Sequence, residues 1–303
     1  MTGKAKKQKI ACGGCQTDAR WVSTALEVSW GSGQEGLMKI AVVTGAGKGL
    51  GREIASGLTA KGFAVLATDI DEAAAAATAS ELGDGAWSMK QDVRDADSHR
   101  EVARAANERG SLELWVNNAG VLYTGNAWDH SDDEIKQMVE VNVLGTTWGA
   151  RAAVEAMRAK GGHLINIASI SAIAPAPGLA VYGATKHAVL GFSISLAGDL
   201  ERASIPIKVS AVCPHAINTD MVRDVQELKG AEVAFIGSGL LTAKEVARVV
   251  LDLVDRPKLA VTVPRSQGAL AHVLRPFPSM SLRVMKQLFW LGEWQRRRAI
   301  DRR

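Results

Sequence analysis

The sequence predicts an α/β chain folded as a doubly wound parallel sheet, and three observations carry that expectation. Short apolar runs without polar alternation recur at 40–43, 63–68, 112–116, 162–168, 206–213 and 258–263, the pattern of strands covered on both faces. Proline-free stretches that suit helices alternate with them. The first run feeds directly into a glycine-rich turn, Thr44-Gly45-Ala46-Gly47-Lys48-Gly49-Leu50-Gly51, which then opens a helix. No repeat or internal linker divides the chain, so a single domain is expected over 38–264, flanked by extensions at 1–37 and 265–303.

Composition bounds the rest. The chain has 303 residues, 47% of them hydrophobic and 22% charged, which suits a compact enzyme core and argues against disorder. No apolar run reaches the length of a membrane span. Residues 1–37 carry five Lys/Arg against three Asp/Glu, and 265–303 carry nine against two. That leaves 22 basic and 27 acidic residues for 38–264, so the basic balance belongs to the tails and gives no ground for nucleic-acid binding. Cys12 and Cys15 form one CGGC with no second pair to complete a zinc site, and Cys213 follows an apolar strand and reads as core; no metal is expected. Unpaired thiols and the lack of a secretory signal point to the cytoplasm. Met38 stands directly before the first strand, which suggests that the functional protein starts there and that 1–37 is an upstream extension or a mobile arm.

Taken in order, strand 40–43 and the glycine turn deliver a helix N-terminus, where free N–H groups and the dipole favour a pyrophosphate. The helix stops near Gly62. The second strand ends in Asp69, about twenty residues beyond the turn, where a carboxylate accepts hydrogen bonds from an adenosine ribose and repels a 2′-phosphate. Asp69 therefore favours NAD, while Lys48 within the turn pulls towards NADP. The alanine run at 72–82 is a helix by propensity. A third strand near 86–90 leads to Asp92-Val93. The fourth, 112–116, ends in Asn117-Asn118-Ala119-Gly120, small residues that let backbone pass close to a cofactor. Ser131-Asp132-Asp133-Glu134 is a capping-box start. Its helix sets Asn142 on the apolar stripe of Ile135, Met138, Val139 and Val143, so a helix-bending structural role is the plainer alternative for that amide.

The stretch 161–186 is where chemistry concentrates. Its strand ends at Ala168-Ser169, placing a hydroxyl at the carboxyl edge, where ligands of open α/β sheets bind. After a loop broken by Pro175, Pro177 and Gly178, a helix over 182–202 carries Tyr182 and Lys186 four apart on one face. An ammonium there would lower the tyrosine pKa from about 10 towards the working range of a general acid/base. Helix 242–254 and strand 258–263 close the domain.

Together, TGAGKGLG at 44–51, Asp69, Asp92, NNAG at 117–120, Asn142, Ser169, YGATK at 182–186 and Pro214 with Thr219 resemble the short-chain dehydrogenase/reductase family over 38–264. The resemblance implies a Rossmann-like fold and an NAD(P)-dependent oxidoreductase acting on an alcohol or ketone. By it, Tyr182 is the acid/base, Lys186 holds the nicotinamide ribose and depresses the Tyr182 pKa, Ser169 orients the substrate oxygen, and Asn142 supports a water in the proton relay. Gly45, Lys48, Gly49, Leu50 and Gly51 with Asn118, Ala119 and Gly120 would line the cofactor, Asp92 and Val93 would flank the adenine, and Ile217 and Thr219 would meet the carboxamide. The family's association through helices here at 131–151 and 182–202 implies a homodimer or homotetramer. One position departs: His215 follows Pro214 where the family has glycine, and either narrows the pocket or points outward. A non-catalytic NAD-binding sensor on the same fold is the alternative function.

The segments 172–179 and 221–241 are small or apolar and offer no clamp for phosphate or carboxylate, which suggests a lipophilic alcohol or ketone. The tail 265–303 combines Leu282, Met285, Leu288, Phe289, Trp290 and Leu291 with basic residues. It reads either as an amphipathic helix for peripheral contact with a membrane surface or as a cover folded over the substrate entrance or onto a second subunit.

Overall fold

The computed structural model describes residues 38–225, 228, 230–232 and 240–301. The extension 1–37, with Cys12 and Cys15, lies outside the described residues, as do 233–239 within the expected pocket segment and the side chains of Phe289, Trp290 and Leu291 in the tail.

Seven parallel strands make one sheet in the order β3-β2-β1-β4-β5-β6-β7, with β1 Lys39–Thr44, β2 Ala64–Asp69, β3 Ala86–Lys90, β4 Ser111–Asn117, β5 Gly162–Ile167, β6 Ile207–Pro214 and β7 Ala260–Val263. The doubly wound expectation therefore holds. The order reverses between β1 and β4, and a crevice opens at the carboxyl ends of strands where that happens.

The lack of polar alternation is explained by what lies on each face. In β1, Ala41 and Val43 enter a cluster with Ile54, Leu58, Val246 and Val250 of helices α1 (Gly49–Ala60) and α8 (Ala243–Asp255). Ile40 and Val42 enter the opposite cluster with Val102, Ala106, Ala153 and Met157 of helices α3 (Ala96–Arg109) and α5 (Thr146–Met157). Neighbouring residues of one strand are thus buried on opposite sides, so every position is apolar.

Helix α2 spans Glu72–Leu82, as its alanines predict. Helix α3 was not expected from the sequence, because its buried face is made of His99, Val102, Ala103 and Ala106, small and polar residues that give a weak apolar period. The helix expected from 131 is three pieces. α4 (Asp132–Val139) starts with the predicted capping box, in which Ser131 and Glu134 each accept from the other's backbone N–H. A π-helical turn follows at Glu140–Gly145, then α5. The wider turn is centred on Asn142, so the helix-bending reading of that residue describes its backbone. The helix carrying Tyr182, α6, runs Ala180–Arg202, two residues earlier than expected. After β6 comes the one-turn helix α7 (Asp220–Arg223). Two helices follow β7: α9 (Arg265–Leu274) and α10 (Pro278–Asp301), tied at their corner by the Ser281 hydroxyl donating to the Leu274 carbonyl at 3.1 Å. No described helix is long and apolar enough to cross a membrane.

Candidate active site

The carboxyl ends of β1, β4, β5 and β6 carry the residues singled out by sequence. At β1, Gly45 turns the chain with φ +63, and Gly51 packs so tightly that a Cβ there would collide with the Gly45 carbonyl and come within 2.6 Å of Asn118 Nδ2. Only glycine permits that approach. Asn118 fixes the turn rather than lining it: its Nδ2 donates to the carbonyls of Thr44 (2.9 Å) and Gly45 (3.0 Å), while the N–H groups of Asn118 and Ala119 donate to Thr44 Oγ1. Thr78 of α2 donates to the Ala46 carbonyl at 3.0 Å from the other side. Gly47, Thr44 and Thr78 were missed by sequence reasoning; Gly47 lies inside the motif, and nothing in an alanine run marks Thr78.

The N-terminus of α1 differs from its neighbours. Asp71, Asp95, Ser131 and Thr242 cap α2, α3, α4 and α8 with their side chains. α1 has Lys48 at its N-cap, no side-chain cap and no acidic residue in its first turn. The amides of Gly49, Leu50 and Gly51 therefore present a positive dipole end without a carboxylate or hydroxyl to satisfy it, the condition in which a helix N-terminus takes an anion.

Asp69 stands beside this turn, accepting from the N–H of Gly47 at 2.9 Å and of Asp71 at 3.1 Å. Lys48 faces elsewhere, with Nζ 3.8 Å from Asp220 at the start of α7. The segment after β6 thus leans on the turn; a Cβ on Gly49 would lie 3.3 Å from Thr219 Cγ2. Thr219 is the N-cap residue of α7, and Ile217 pairs with Leu241 in an isolated bridge. Asp92 is clasped by Arg94, whose Nε and Nη2 donate at 2.9 and 2.6 Å, and that guanidinium holds the carboxyl below its usual range. Val93 packs against the site where a Gly145 Cβ would be, and its carbonyl accepts from His99 Nε2.

At β5, Ser169 begins the turn to α6. Its Oγ accepts from the Ser171 N–H at 3.2 Å and lies near enough to the Tyr182 hydroxyl to act on its pKa. Lys186 is buried beneath; Nζ donates to the Ile167 carbonyl at 3.0 Å and sits 5.7 Å from the centre of the Tyr182 ring. Gly120 leaves the space for it, since a Cβ there would lie 3.6 Å from Nζ and 3.1 Å from Asn142 Oδ1. The structure therefore brings Gly120, Asn142, Ser169, Tyr182 and Lys186 together, and sets the Gly45–Gly51 turn and Asp69 along the neighbouring strand ends.

One expectation needs correction. The ammonium was expected to lower the Tyr182 pKa. Burial dominates instead, pushing the phenol up to about 12 with only the Ser169 hydrogen bond acting downwards, and pushing Lys186 down to about 8. Asn142 is held through its side chain. Its amide is committed to protein: Oδ1 accepts from the Val121 N–H, and Nδ2 donates to the Val121 carbonyl and to Thr185 Oγ1. Thr185 in turn donates to the Tyr182 carbonyl at 2.7 Å. Asn142 is a brace between the loop after β4 and the start of α6. His215 is 9% exposed, so the outward-pointing reading fails; burial lowers its pKa and its Nδ1 has no partner. In the tail, Met285 and Leu288 of α10 pack around Leu179 together with Leu122, Ala176 and Tyr182.

The family model described as short chain dehydrogenase matches residues 39–230. The chain belongs to the short-chain dehydrogenase family. Curated relatives that match it are named as oxidoreductases, dehydrogenases or reductases. The chain is 35% identical over 186 residues to a probable oxidoreductase, EphD, of Mycobacterium tuberculosis, a match covering 59% of this chain and 31% of that protein. The chain therefore spans about a third of the length of that relative. It is 32% identical over 186 residues to a 3-beta-hydroxysteroid dehydrogenase of Comamonas testosteroni, covering 61% and 73%. A crystal structure of a short-chain dehydrogenase/reductase from Burkholderia phymatum in complex with NAD superposes with a TM-score of 0.71 at 27% identity, covering 77% of this chain and 92% of the other.

Proposed function

We propose that this short-chain dehydrogenase interconverts a lipophilic alcohol and its ketone, with Tyr182 as proton donor and acceptor. The observation that carries the reading is the cluster at the carboxyl edge, where Ser169 and Tyr182 stand side by side above a buried Lys186.

A nicotinamide dinucleotide fits the residues present. The uncapped α1 N-terminus suits its pyrophosphate, Asp69 the adenosine ribose, Asp92 and Val93 the adenine side, Lys186 the nicotinamide ribose, and Ile217 and Thr219 the carboxamide end. Bound NAD supplies the hydride acceptor, and NADH the donor. Ser169 Oγ holds the substrate oxygen. Tyr182 Oη takes the hydroxyl proton in oxidation and returns it in reduction. Lys186 Nζ has three protons and spends one on Ile167 among the described residues, leaving donors for a ribose and for proton transfer. Asp69 supports a preference for NAD, while Lys48, exposed and 3.8 Å from Asp220, is the cation that argues for NADP.

The apolar contacts of Met285 and Leu288 beside Tyr182 support a covering role for the tail and a hydrophobic substrate beneath it. A second reading of the tail rests on the exposed Val273, Phe277 and Met280 at the α9–α10 corner, which with Arg275 and Arg283 suit peripheral contact with an anionic membrane. Self-association through α4, α5 and α6 is part of the proposal.

The test is a panel of alcohols and ketones, from short-chain to steroidal, followed by NADH and NADPH absorbance. Turnover of hydrophobic members with NAD is the expected result. A protein that binds NAD yet turns over no alcohol or ketone would be the non-catalytic sensor instead.

A further inference from the structure

Three buried side chains behind the Asp69 rim serve to hold backbone. Thr68 Oγ1 donates to Gln91 Oε1 at 2.6 Å, and Gln91 Nε2 meets His99 Nδ1 at 3.0 Å. His99 Nε2 lies 2.9 Å from the Val93 carbonyl. A carbonyl only accepts, so Nε2 carries the ring proton and Nδ1 accepts from Gln91. The Gln91 N–H also donates to the Asp69 carbonyl at 2.8 Å. One residue is therefore bonded towards the end of β2 and, through His99, towards Val93.

Packing alone does not explain an imidazole at this place on α3. Its companions on the buried face are Val102, Ala103 and Ala106, and an imidazole withdrawn from water there is costly without partners. Burial lowers its pKa, so the ring is neutral at pH 7 and Nδ1 stays an acceptor. One residue earlier, Ser98 Oγ lies 2.7 Å from the Asp92 carbonyl, which also accepts from the Asp95 N–H at 3.0 Å. Ser98 and His99 thus hold the peptide units on both sides of Val93. A Cβ on Gly145 would lie 3.1 Å from Val93 Cβ and from its carbonyl oxygen, so the segment has no room to shift that way. The peptide between Asp92 and Val93 is planar and trans, so the Val93 N–H points away from the Asp92 carbonyl and hence away from α3. That N–H has no partner among the described residues.

We propose that His99, with Ser98, is a positioning residue for the adenine of the dinucleotide: it fixes the peptide planes around Val93 so that the free Val93 N–H and the Asp92 carboxylate meet the edge of the base. The inference rests on a nicotinamide dinucleotide being the cofactor. A donor beside an acceptor complements the adenine amino group and the ring nitrogen next to it. His99 touches neither base nor substrate and acts only through Val93, which Gln91 keeps in register with Asp69.

The experiment titrates NADH and its hypoxanthine analogue into the full chain without substrate, read by nicotinamide fluorescence, with melting curves reporting the fold of each variant. Hypoxanthine has a carbonyl where adenine has the amino group, which sets it against the Asp92 carboxylate. The parent should bind NADH about tenfold more tightly than the analogue. His99→Leu should weaken NADH about five- to tenfold and the analogue little, so that the ratio between them falls to about two. His99→Gln, whose amide can donate to the Val93 carbonyl, should keep the ratio of the parent. Ser98→Ala should lower it about two- to threefold, since the Asp95 N–H still holds the Asp92 carbonyl. A purely structural His99 would instead lower the melting temperature, or weaken both dinucleotides together, and leave the ratio unchanged. The proposal is overturned by a parent that binds both alike, by a folded His99→Leu that keeps the ratio, or by His99→Gln losing as much of it as His99→Leu. If His99→Leu does not fold, Ser98→Ala decides, and an unchanged ratio there overturns it. A parent that binds NADH without discriminating sinks this inference alone, whereas one that binds neither dinucleotide sinks the cofactor reading as well.

Discussion

Two polar groups sit a few residues apart at the sheet, one wholly buried and one at its edge, and they are satisfied very differently. Deep in the sheet, Trp115 Nε1 donates to Asn117 Oδ1, Asn117 Nδ2 to Asn166 Oδ1, Asn166 Nδ2 to Ser193 Oγ, and Ser193 Oγ to the Val189 carbonyl, all at 2.7–2.9 Å. At the strand ends, Lys186 makes one hydrogen bond among the described residues with three donors, and Ser169 Oγ accepts only from the Ser171 N–H there. The first group uses its capacity on itself and rigidifies the site's foundations. The second keeps capacity in reserve, which is what a site that must hold a cofactor and move a proton requires. Lys186 reaches this state by burial that brings its pKa down to about 8.

The largest effect that sharpens this contrast belongs to the reserved group. Tyr182→Phe keeps the ring that packs with Leu179 and Leu288 but removes the proton-transfer hydroxyl. Turnover should fall about 10²- to 10⁴-fold, with NAD affinity kept. Near-normal turnover in the Phe variant would remove Tyr182 from the mechanism. With the phenol at about 12, the acid form prevails at neutral pH, so reduction needs no prior ionisation whereas oxidation does. Alcohol oxidation by the parent should therefore rise with pH between about 7 and 9 while ketone reduction does not; profiles with the same pH dependence in both directions would contradict this assignment.

Breaking the satisfied group should cost stability instead of chemistry. Asn166→Ala leaves Asn117 Nδ2 without that acceptor and Ser193 Oγ without that donor inside the sheet, so urea unfolding should show a loss of about 2–4 kcal/mol. A loss below about 0.5 kcal/mol would mean that water or a neighbour replaces the amide, and that the network is not the foundation inferred here.

How much of this was legible differs between the two groups. The set at the carboxyl edge stood out in the sequence through the order of several motifs, since Tyr and Lys one helical turn apart are by themselves an ordinary pair. The glycine turn could be read because Gly51 permits an approach that no side chain does. The network could not, because Asn117 and Asn166 look like any polar residue in a strand and meet only through the register of β4 with β5. Helix α3 hid for a related reason, its buried His99 being held by Gln91 and the Val93 carbonyl, partners that only the fold supplies. The partners of the Asn142 amide, Val121 and Thr185, lie 21 and 43 residues away and meet it only in the fold. The direction of the Tyr182 shift was misjudged because spacing reveals a neighbouring charge but not the depth of burial.

His163, whose Nδ1 is buried without a partner among the described residues, offers a smaller, pH-dependent test of the interior. It is buried on β5 with Nε2 bonded to Ser210, and burial, with Lys208 adding repulsion, lowers its pKa to about 4. The unfolded chain, with a value of about 6.5, binds the proton first as pH falls. The stabilising contribution is thus fully present above about pH 6.5 and is lost as pH falls towards 4. Stability should drop by about 2–3 kcal/mol between pH 7.5 and 4.5 from this group, and His163→Gln should flatten that part of the curve. An unchanged slope in the variant would move the effect to His99, whose pKa burial also lowers.

The smallest expected effect tests the boundary between the two groups, at Asp69, which is part support and part ligand. One carboxylate oxygen accepts from Gly47 and so shapes the turn, while the other accepts from Asp71 at the rim. Replacing it with alanine removes both a turn contact and the charge that repels a 2′-phosphate. NAD affinity should fall and NADP affinity should rise or hold, narrowing the preference by about 1–2 kcal/mol, or roughly five- to thirtyfold. The exposed Ile70 next to it is the place to add a cation, and Ile70→Arg on the Asp69→Ala background should carry the preference past parity. The supporting role predicts something further. If Asp69 mainly shapes the turn, both dinucleotides weaken in parallel and the ratio stays put; if it mainly reads the ribose, the ratio moves while the melting temperature does not. A parent enzyme that already uses NADP better would overturn the assignment of Asp69 altogether, and would return the decision to Lys48 once released from Asp220.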